Sequence, residues 1–346
     1  MTDRCIISKC MAISRSHFLN TPYKGESVID LYEVDGFANK ASGICHYCTV
    51  DTLNAILESN SLRFTDVRFL NDSTEFVEII PLIKEVLNEE RYTSSFREFL
   101  LNSDVICELE EYKQSYIGFS RREHDFKQTS YHTYTCSFST NSDSLSMWNY
   151  YGTTTAGLNV VFDFAWNMFK ECEKTEVNIG EKLSNDIMIY RGLILYSRDD
   201  KKKCVAELLN RLAKIFEEAG NDLDKYKGSI LYAFKEAINN MRCFFKNESF
   251  RSEEEYRTVL KIPEDLLMAE TLVDEIKAKG VFKKGNILIP YVDYKFKPES
   301  IKSITINPYE KETDSMFELG IRNLLWMKGL ENVKIVHSNI PIRKYD

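Results

Sequence analysis

The sequence predicts an α+β fold built on a mostly antiparallel sheet or a split β-sandwich. Three observations lead there. Strand-like runs rich in Val, Ile, Phe and Tyr lie toward both ends of the chain. Between about 198 and 248 the apolar spacing turns helical. No sustained β-α-β alternation, G-x-G-x-x-G or P-loop pattern occurs, which disfavours a dinucleotide-binding Rossmann arrangement.

Taken in order, residues 1–40 show little periodicity and read as an irregular or partner-docking arm. ICHYCTV (44–50) is a short strand leading into DTLNAILESN, where Leu53, Ile56 and Leu57 share one helical face and Asp51 occupies the N-cap position. SLRFTDVRFLND follows as a strand or extended loop. STEFVEIIPLIKEVLNEE spaces Phe76, Ile79, Ile80, Ile83 and Leu87 for a helix that Pro81 kinks or splits. The stretch to about 130 gives no clear pattern. YTCSF, GLNVVFDF (157–164) and YRGLILYS (190–197) then read as strands.

Two helical runs come next, the first marked by Val205, Leu208, Leu209, Leu212 and Phe216 and the second by YKGSILYAFKEAINNMRCFF. Strands return in EYRTVLKI (255–262), NILIPYVDYKF (286–296) and SITINP (303–308). The helix SMFELGIRNLLWMKG and the strand NVKIVHS close the chain. Residues 1–346 thus read as a single domain with a helical insertion over 198–248.

Composition narrows the class. With 43% hydrophobic and 28% charged residues, the chain has an ordinary globular balance. Its net charge of −8 argues against a protein whose main work is coating nucleic acid. Lys201–Lys203 and Lys283–Lys284 are local basic candidates that read first as solvated loop charge. No run of 18 apolar residues appears, so no membrane span is expected. The N-terminal stretch is interrupted by Lys9 and Arg15 and lacks a signal-peptide core, which places the protein in the cytoplasm. The nine scattered cysteines then read as reduced thiols in the core. Cys45-x-x-Cys48 lacks the second close pair of a structural zinc site, even with Cys5 and Cys10 in the sequence, so no metal is expected.

Three segments carry polar groups suited to chemistry. His46 and Tyr47 end a strand just before a helix, where a histidine can hydrogen-bond a ligand hydroxyl. Downstream, Asn71, Asp72 and Glu75 in FLNDSTEF read first as a capping box. CSFSTNSDSLSMWNYYG (136–152) sets a polar loop before a short aromatic helix, with Ser142 or Asp143 as its cap. Its Met147 and Trp148 fit the core, and Tyr150 points elsewhere as a ring able to stack on an aromatic ligand. In FRSEEEYR, Glu253, Glu255 and Arg257 would share one face of an extended chain. A solvated turn with Arg257 as its salt-bridge partner is the plainer reading of that run.

In order, these segments resemble a bacterial domain family of unassigned function. Its pattern stands here as HYCTVDTLNAILESNSLRF, FLNDSTEF, CSFSTNSDSLSMWNYYGTTTAG, FRSEEEYR and SNIPIR, over about residues 44–343. Cys136–Ser139 departs by one inserted residue from the C-F-S form of that family. The motif order is also similar, more distantly, to the ADP-ribosyltransferase fold. That resemblance implies a split antiparallel β-sandwich core with NAD as substrate and no metal. It gives His46, with neighbouring Tyr47, the ribose on the adenosine side. Ser137 or Ser139 falls in its second motif, Tyr150 or Tyr151 stacks the nicotinamide, and Asn71 lies with the cofactor-binding set. Glu255 is the catalytic carboxylate, with Glu253 completing E-x-E and Arg257 beside them. His46 matches one branch of the superfamily and Ser with E-x-E another, so the acceptor stays open.

The resemblance implies an intracellular toxin or anti-phage defence effector. The acceptor would be an RNA or DNA base or a protein side chain, and an antitoxin would be a partner. Two other classes stand beside it. One is a sensing or interaction module that keeps the fold without turnover. The other is a metal-dependent nuclease using Asp72, Glu75 and the Glu253–Glu255 pair.

Overall fold

The computed structural model describes residues 3–15, 43–72, 74–111, 131–151, 157–163, 168–169, 187–309 and 315–342. Its first half contains α1 (Asp3–Arg15), β1 (Ile44–Thr49), α2 (Val50–Ser59), β2 (Ser61–Asp66), α3 (Ile79–Leu87), α4 (Ser94–Leu101) and α5 (Asp104–Glu110). Then come β3 (Tyr131–Ser139), α6 (Leu145–Tyr151), β4 (Gly157–Phe162), β5 (Met188–Leu193), α7 (Arg198–Ala219) and α8 (Leu223–Met241). The last part holds β6 (Glu255–Pro263), α9 (Glu264–Met268), β7 (Ile276–Lys284), β8 (Ile287–Lys295), β9 (Ile301–Ile306), α10 (Met316–Met327) and β10 (Lys334–His337). Helices and a mixed, mostly antiparallel sheet make this an α+β protein. Chain contacts divide it into two compact units, one of residues 1–35, 70–126 and 192–250 and the other of 36–69, 127–191 and 251–346.

The first unit is helical. Its α1 corrects the expectation of an irregular arm: Ile6, Cys10 and Ile13 are each buried and recur at helical spacing. They lie against α8 and α7, and Lys9 reaches Glu218 at 2.6 Å. Three apolar positions around Lys9 are too short a stripe to stand out before the partner helices are known. Residues 16–42 of the expected arm lie outside the described residues. Pro81 neither kinks nor splits its helix, because α3 begins at Ile79 and proline sits in the first turn, where no N–H is needed. Ahead of it Asp72 closes a turn, accepting from Thr74 N and Thr74 Oγ1, each at 2.7 Å, rather than forming a capping box. The helices α4 and α5 occupy the stretch that gave no sequence pattern. Lys201, Lys202 and Lys203 lie on a helix and pair with Glu78, Glu85 and Asp200, so they form neither a loop nor an open basic patch.

The second unit holds the sheet. Its strand order is β10-β9-β4-β1-β3-β2-β8-β7, with β6 paired to β3 and β5 paired to β6. The β9–β10 pair is parallel, whereas β1–β3, β1–β4, β2–β3, β2–β8, β3–β6, β4–β9 and β7–β8 are antiparallel. All six residues of β4 are buried, as a central strand requires. Thr49 rather than Asp51 caps α2, its hydroxyl accepting from Thr52 N at 3.4 Å, and Asp51 lies in the first turn. Gly43 enters β1 at φ 152°, where an added Cβ would lie 2.2 Å from the Phe162 carbonyl oxygen.

Candidate functional site

The site begins with an incomplete ladder. All nine residues of β3 pair with β6, from Tyr131↔Pro263 to Ser139↔Glu255. The other edge of β3 is shared. Ser139 pairs with Cys45 of β1, whereas Tyr134 and Thr135 pair with Asp66 and Thr65 of β2. Cys136, Ser137 and Phe138 lie between those two pairings, where the sheet splits.

His46 reaches that split. Its Nδ1 lies 3.3 Å from the Ser137 carbonyl oxygen, and its ring centroid lies 5.7 Å from that of Phe138. A carbonyl only accepts, so this contact selects the Nδ1–H tautomer and leaves Nε2 as an acceptor. Burial pushes the His46 pKa below its ordinary value, opposed by the bond to the Ser137 carbonyl, so the ring is neutral at neutral pH.

Across the ladder, Ser137 Oγ donates to Glu255 Oε1 at 2.5 Å. The Nε of Arg257 donates to the same oxygen at 2.7 Å. Glu255 and Arg257 are 2% and 1% exposed, whereas Ser137 is exposed. An exposed hydroxyl therefore stands over a buried ion pair. Burial and the nearby Glu255 carboxylate both raise the pKa of the Cys136 thiol, which keeps it protonated.

Glu253 breaks the expected face. Residues Glu248–Glu253 form a 3₁₀ helix, Glu254 adopts φ 45°, and the extended chain starts only at Glu255. The period-two rule thus applies to Glu255 and Arg257 but not to Glu253. Ser139 and Tyr47 hold the backbone nearby. Ser139 Oγ donates to the Glu253 carbonyl at 2.8 Å. The Tyr47 hydroxyl donates to the Asn141 carbonyl at 2.7 Å and accepts from Ser144 N at 2.9 Å. Burial pushes the pKa of that phenol up.

The polar loop that follows β3 rests on Asp143, one of the two candidate caps of the helix behind it. Asp143 accepts from Trp148 Nε1 at 2.8 Å, from Ser338 Oγ at 2.6 Å and from Asn339 N at 2.9 Å. One carboxylate thereby ties the aromatic helix α6 to the segment after β10, and Ile340 packs against Cys45, Tyr47, Met147, Trp148 and Val161. Linear spacing marked Asp143 as a candidate cap and not as this tie, because its partners lie up to 196 residues away. Met147 and Trp148 face the core as their spacing predicts. Tyr150 and Tyr151 are 69% and 39% exposed, with ring centroids 6.5 Å apart.

His46, Ser137, Glu255 and Arg257 therefore join in one chain of contacts. Asn71 belongs to the helical unit, as do Asp72 and Glu75, whereas Glu253 and Glu255 belong to the sheet unit. Among the described residues, no group of three or more His, Cys, Asp or Glu is placed to hold a metal ion, and no helix is long and apolar enough to cross a membrane. Gly152 and Arg343, which complete two of the motifs, lie outside the described residues.

The sequence family described as "Protein of unknown function (DUF2971)" matches residues 147–258. That span runs from α6 to the first part of β6. It includes Tyr150, Glu253, Glu255 and Arg257 but neither His46 nor Ser137. No curated protein and no solved structure matches the chain.

Proposed function

We propose that this protein is an NAD-dependent ADP-ribosyltransferase with an ADP-ribosyltransferase-like split-sheet core, acting in the cytoplasm as a toxin or anti-phage defence effector. The observation that carries the reading is the hydrogen-bonded chain from His46 through Ser137 to Glu255 at the split in the sheet. It joins a histidine on one strand, a serine on the next and a glutamate at the start of a third. NAD supplies an activated C1′–nicotinamide bond whose cleavage builds positive charge on the ribose.

In this reading the neutral His46 accepts a ribose hydroxyl at Nε2. Glu255, held in place by Ser137 and Arg257, stabilises the cationic charge at C1′ as nicotinamide leaves. A group of this kind, placed where charge develops, contributes about 10²–10³ in rate. Tyr150, the more exposed ring of its pair, stacks on the leaving nicotinamide. An acceptor nucleophile on RNA, DNA or protein then takes the ADP-ribosyl group and releases a proton. A protein inhibitor of antitoxin type fits such an activity.

Incubation of the purified chain with labelled NAD and cell lysate tests this reading. Transfer of label to macromolecules supports it. NAD binding with neither transfer nor nicotinamide release contradicts it and favours a non-catalytic sensing module. Magnesium-dependent nucleic-acid cleavage without any use of NAD favours a nuclease instead.

A further inference from the structure

We infer that Asn141 is a positioning residue that latches the Glu254 turn and so fixes the entry of Glu255 into its strand. The inference rests on the transferase reading only for its kinetic readout. Asn141 engages its backbone N–H and C=O and both side-chain heteroatoms. Its N–H donates to Ser139 Oγ at 3.2 Å, and its carbonyl accepts from the Tyr47 hydroxyl at 2.7 Å. Its Oδ1 accepts from Asp143 N at 3.1 Å, and its Nδ2 donates to Glu254 Oε1 at 2.9 Å. One residue thus connects β1, the end of β3, the loop before α6 and the turn before β6.

That turn needs holding. Glu254 is a non-glycine residue at φ 45°, a conformation that disfavours side chains and persists when the surroundings over-determine it. Its carbonyl accepts from Thr140 N at 2.9 Å and from Thr140 Oγ1 at 3.2 Å, and the preceding Glu253 carbonyl accepts from Ser139 Oγ. The Asn141–Glu254 bond joins side chain to side chain, whereas the others in this set end on backbone carbonyls. It lies one residue before the carboxylate that meets Ser137. If the turn relaxed, the strand would start elsewhere and Glu255 would leave Ser137. A period-two register tolerates no slip of one residue without turning the side chain to the other face.

Two nearly isosteric changes test the latch. Asn141→Asp keeps the acceptor for Asp143 N but sets a second carboxylate against Glu254. Adding Glu254→Gln restores a donor–acceptor pair in the opposite sense. With NAD as the probe, N141D should lower kcat for nicotinamide release about tenfold or more while KM stays within about twofold, since misplacing a reacting group costs rate. The double variant should recover most of that loss. Hydrogen exchange at the Thr140 amide, which donates to Glu254, should speed up in N141D and slow again in the double variant. Unchanged kcat in N141D, or a double variant no better than the single one, would overturn the inference. If the wild type releases no nicotinamide, the transferase reading fails by itself and exchange decides. Thr140 exchange that is the same in wild type and N141D then sinks the latch, and faster exchange reversed by E254Q sustains it.

Discussion

Ser137 and Glu255 meet across the β3–β6 ladder, with the serine hydroxyl donating to Glu255 Oε1 at 2.5 Å. The two residues are not direct ladder partners, since Ser137 pairs with Arg257 and Ser139 with Glu255. They share a face two residues apart on the diagonal, within reach of a long side chain. The contact gives the carboxylate a fixed direction at the point where the sheet splits.

Removing the hydroxyl tests how much the contact holds. Ser137→Ala should lower stability by about 1 kcal/mol, because the partner is charged but Ser137 itself is exposed. A urea unfolding midpoint that does not move would show that solvent replaces the serine without cost.

Arg257 carries more of the burden. Arg257→Met leaves the Glu255 carboxylate buried without its guanidinium, which costs about 3–5 kcal/mol. Replacing both, as Arg257→Met with Glu255→Gln, should recover part of that loss. Chemical denaturation of the two variants measures the difference, and equal stability of the two would contradict the pairing.

Asp143 should prove as structural as its three donors suggest. Asp143→Ala frees Trp148 Nε1, Ser338 Oγ and Asn339 N at once, and each bond to a charged acceptor contributes about 1.5–3 kcal/mol. Faster limited proteolysis within 338–342 is the expected sign. A variant as resistant as the wild type would show that Ile340 packing alone holds the segment.

The histidines set a pH dependence. Burial holds the pKa of His46 and of His132 below the ordinary imidazole value; at His132 the Arg68 cation adds to the lowering while Glu264 and Asp66 oppose it. An unfolded imidazole titrates near about 6.5. Below that value the unfolded chain binds protons that the folded chain does not. The stability these rings contribute is therefore complete above about pH 6.5 and is lost as pH falls below it. Urea midpoints between about pH 5.5 and 7.5 should rise with pH, and His46→Gln should flatten the slope. A slope of opposite sign would contradict the direction of both shifts.

Gly43 gives a prediction for the sheet itself. Gly43→Ala would drive a Cβ into the Phe162 carbonyl at a positive φ, so the protein should lose stability at the start of β1. A thermal midpoint equal to that of the wild type would show that the backbone there shifts freely.

Much of this fold was legible because its signals are local. Leu53, Ile56 and Leu57 are buried on α2 as their spacing predicts, and EYRTVLKI forms a strand buried along its whole length. The losses follow from non-local causes. IKAKGVFKK gave no strand signal because β7 ends the sheet order, where lysines and a glycine replace the alternating apolar residues of a paired strand. The period-two rule placed Glu253 with Glu255 because the sequence alone does not announce the left-handed Glu254 between them. His46, Ser137 and Glu255 were visible as residue types, but only Glu255 begins its strand. His46 lies inside β1, which runs on to Thr49 rather than ending at His46 and Tyr47, and Ser137 lies inside β3. Asn141, and the tie that Asp143 makes beyond its expected capping role, were not visible, because a polar loop reads the same whether its side chains meet water or hold distant strands together.

Nicotinamide release from NAD, measured side by side for the wild type and Glu255→Gln, a change that keeps the shape of the side chain, decides whether Glu255 serves NAD cleavage. The transferase reading predicts release by the wild type and a rate lower by about 10² or more in the variant, with both proteins equally folded by circular dichroism. Equal rates in the two, or no release by the wild type with acceptor-containing lysate present, would contradict it.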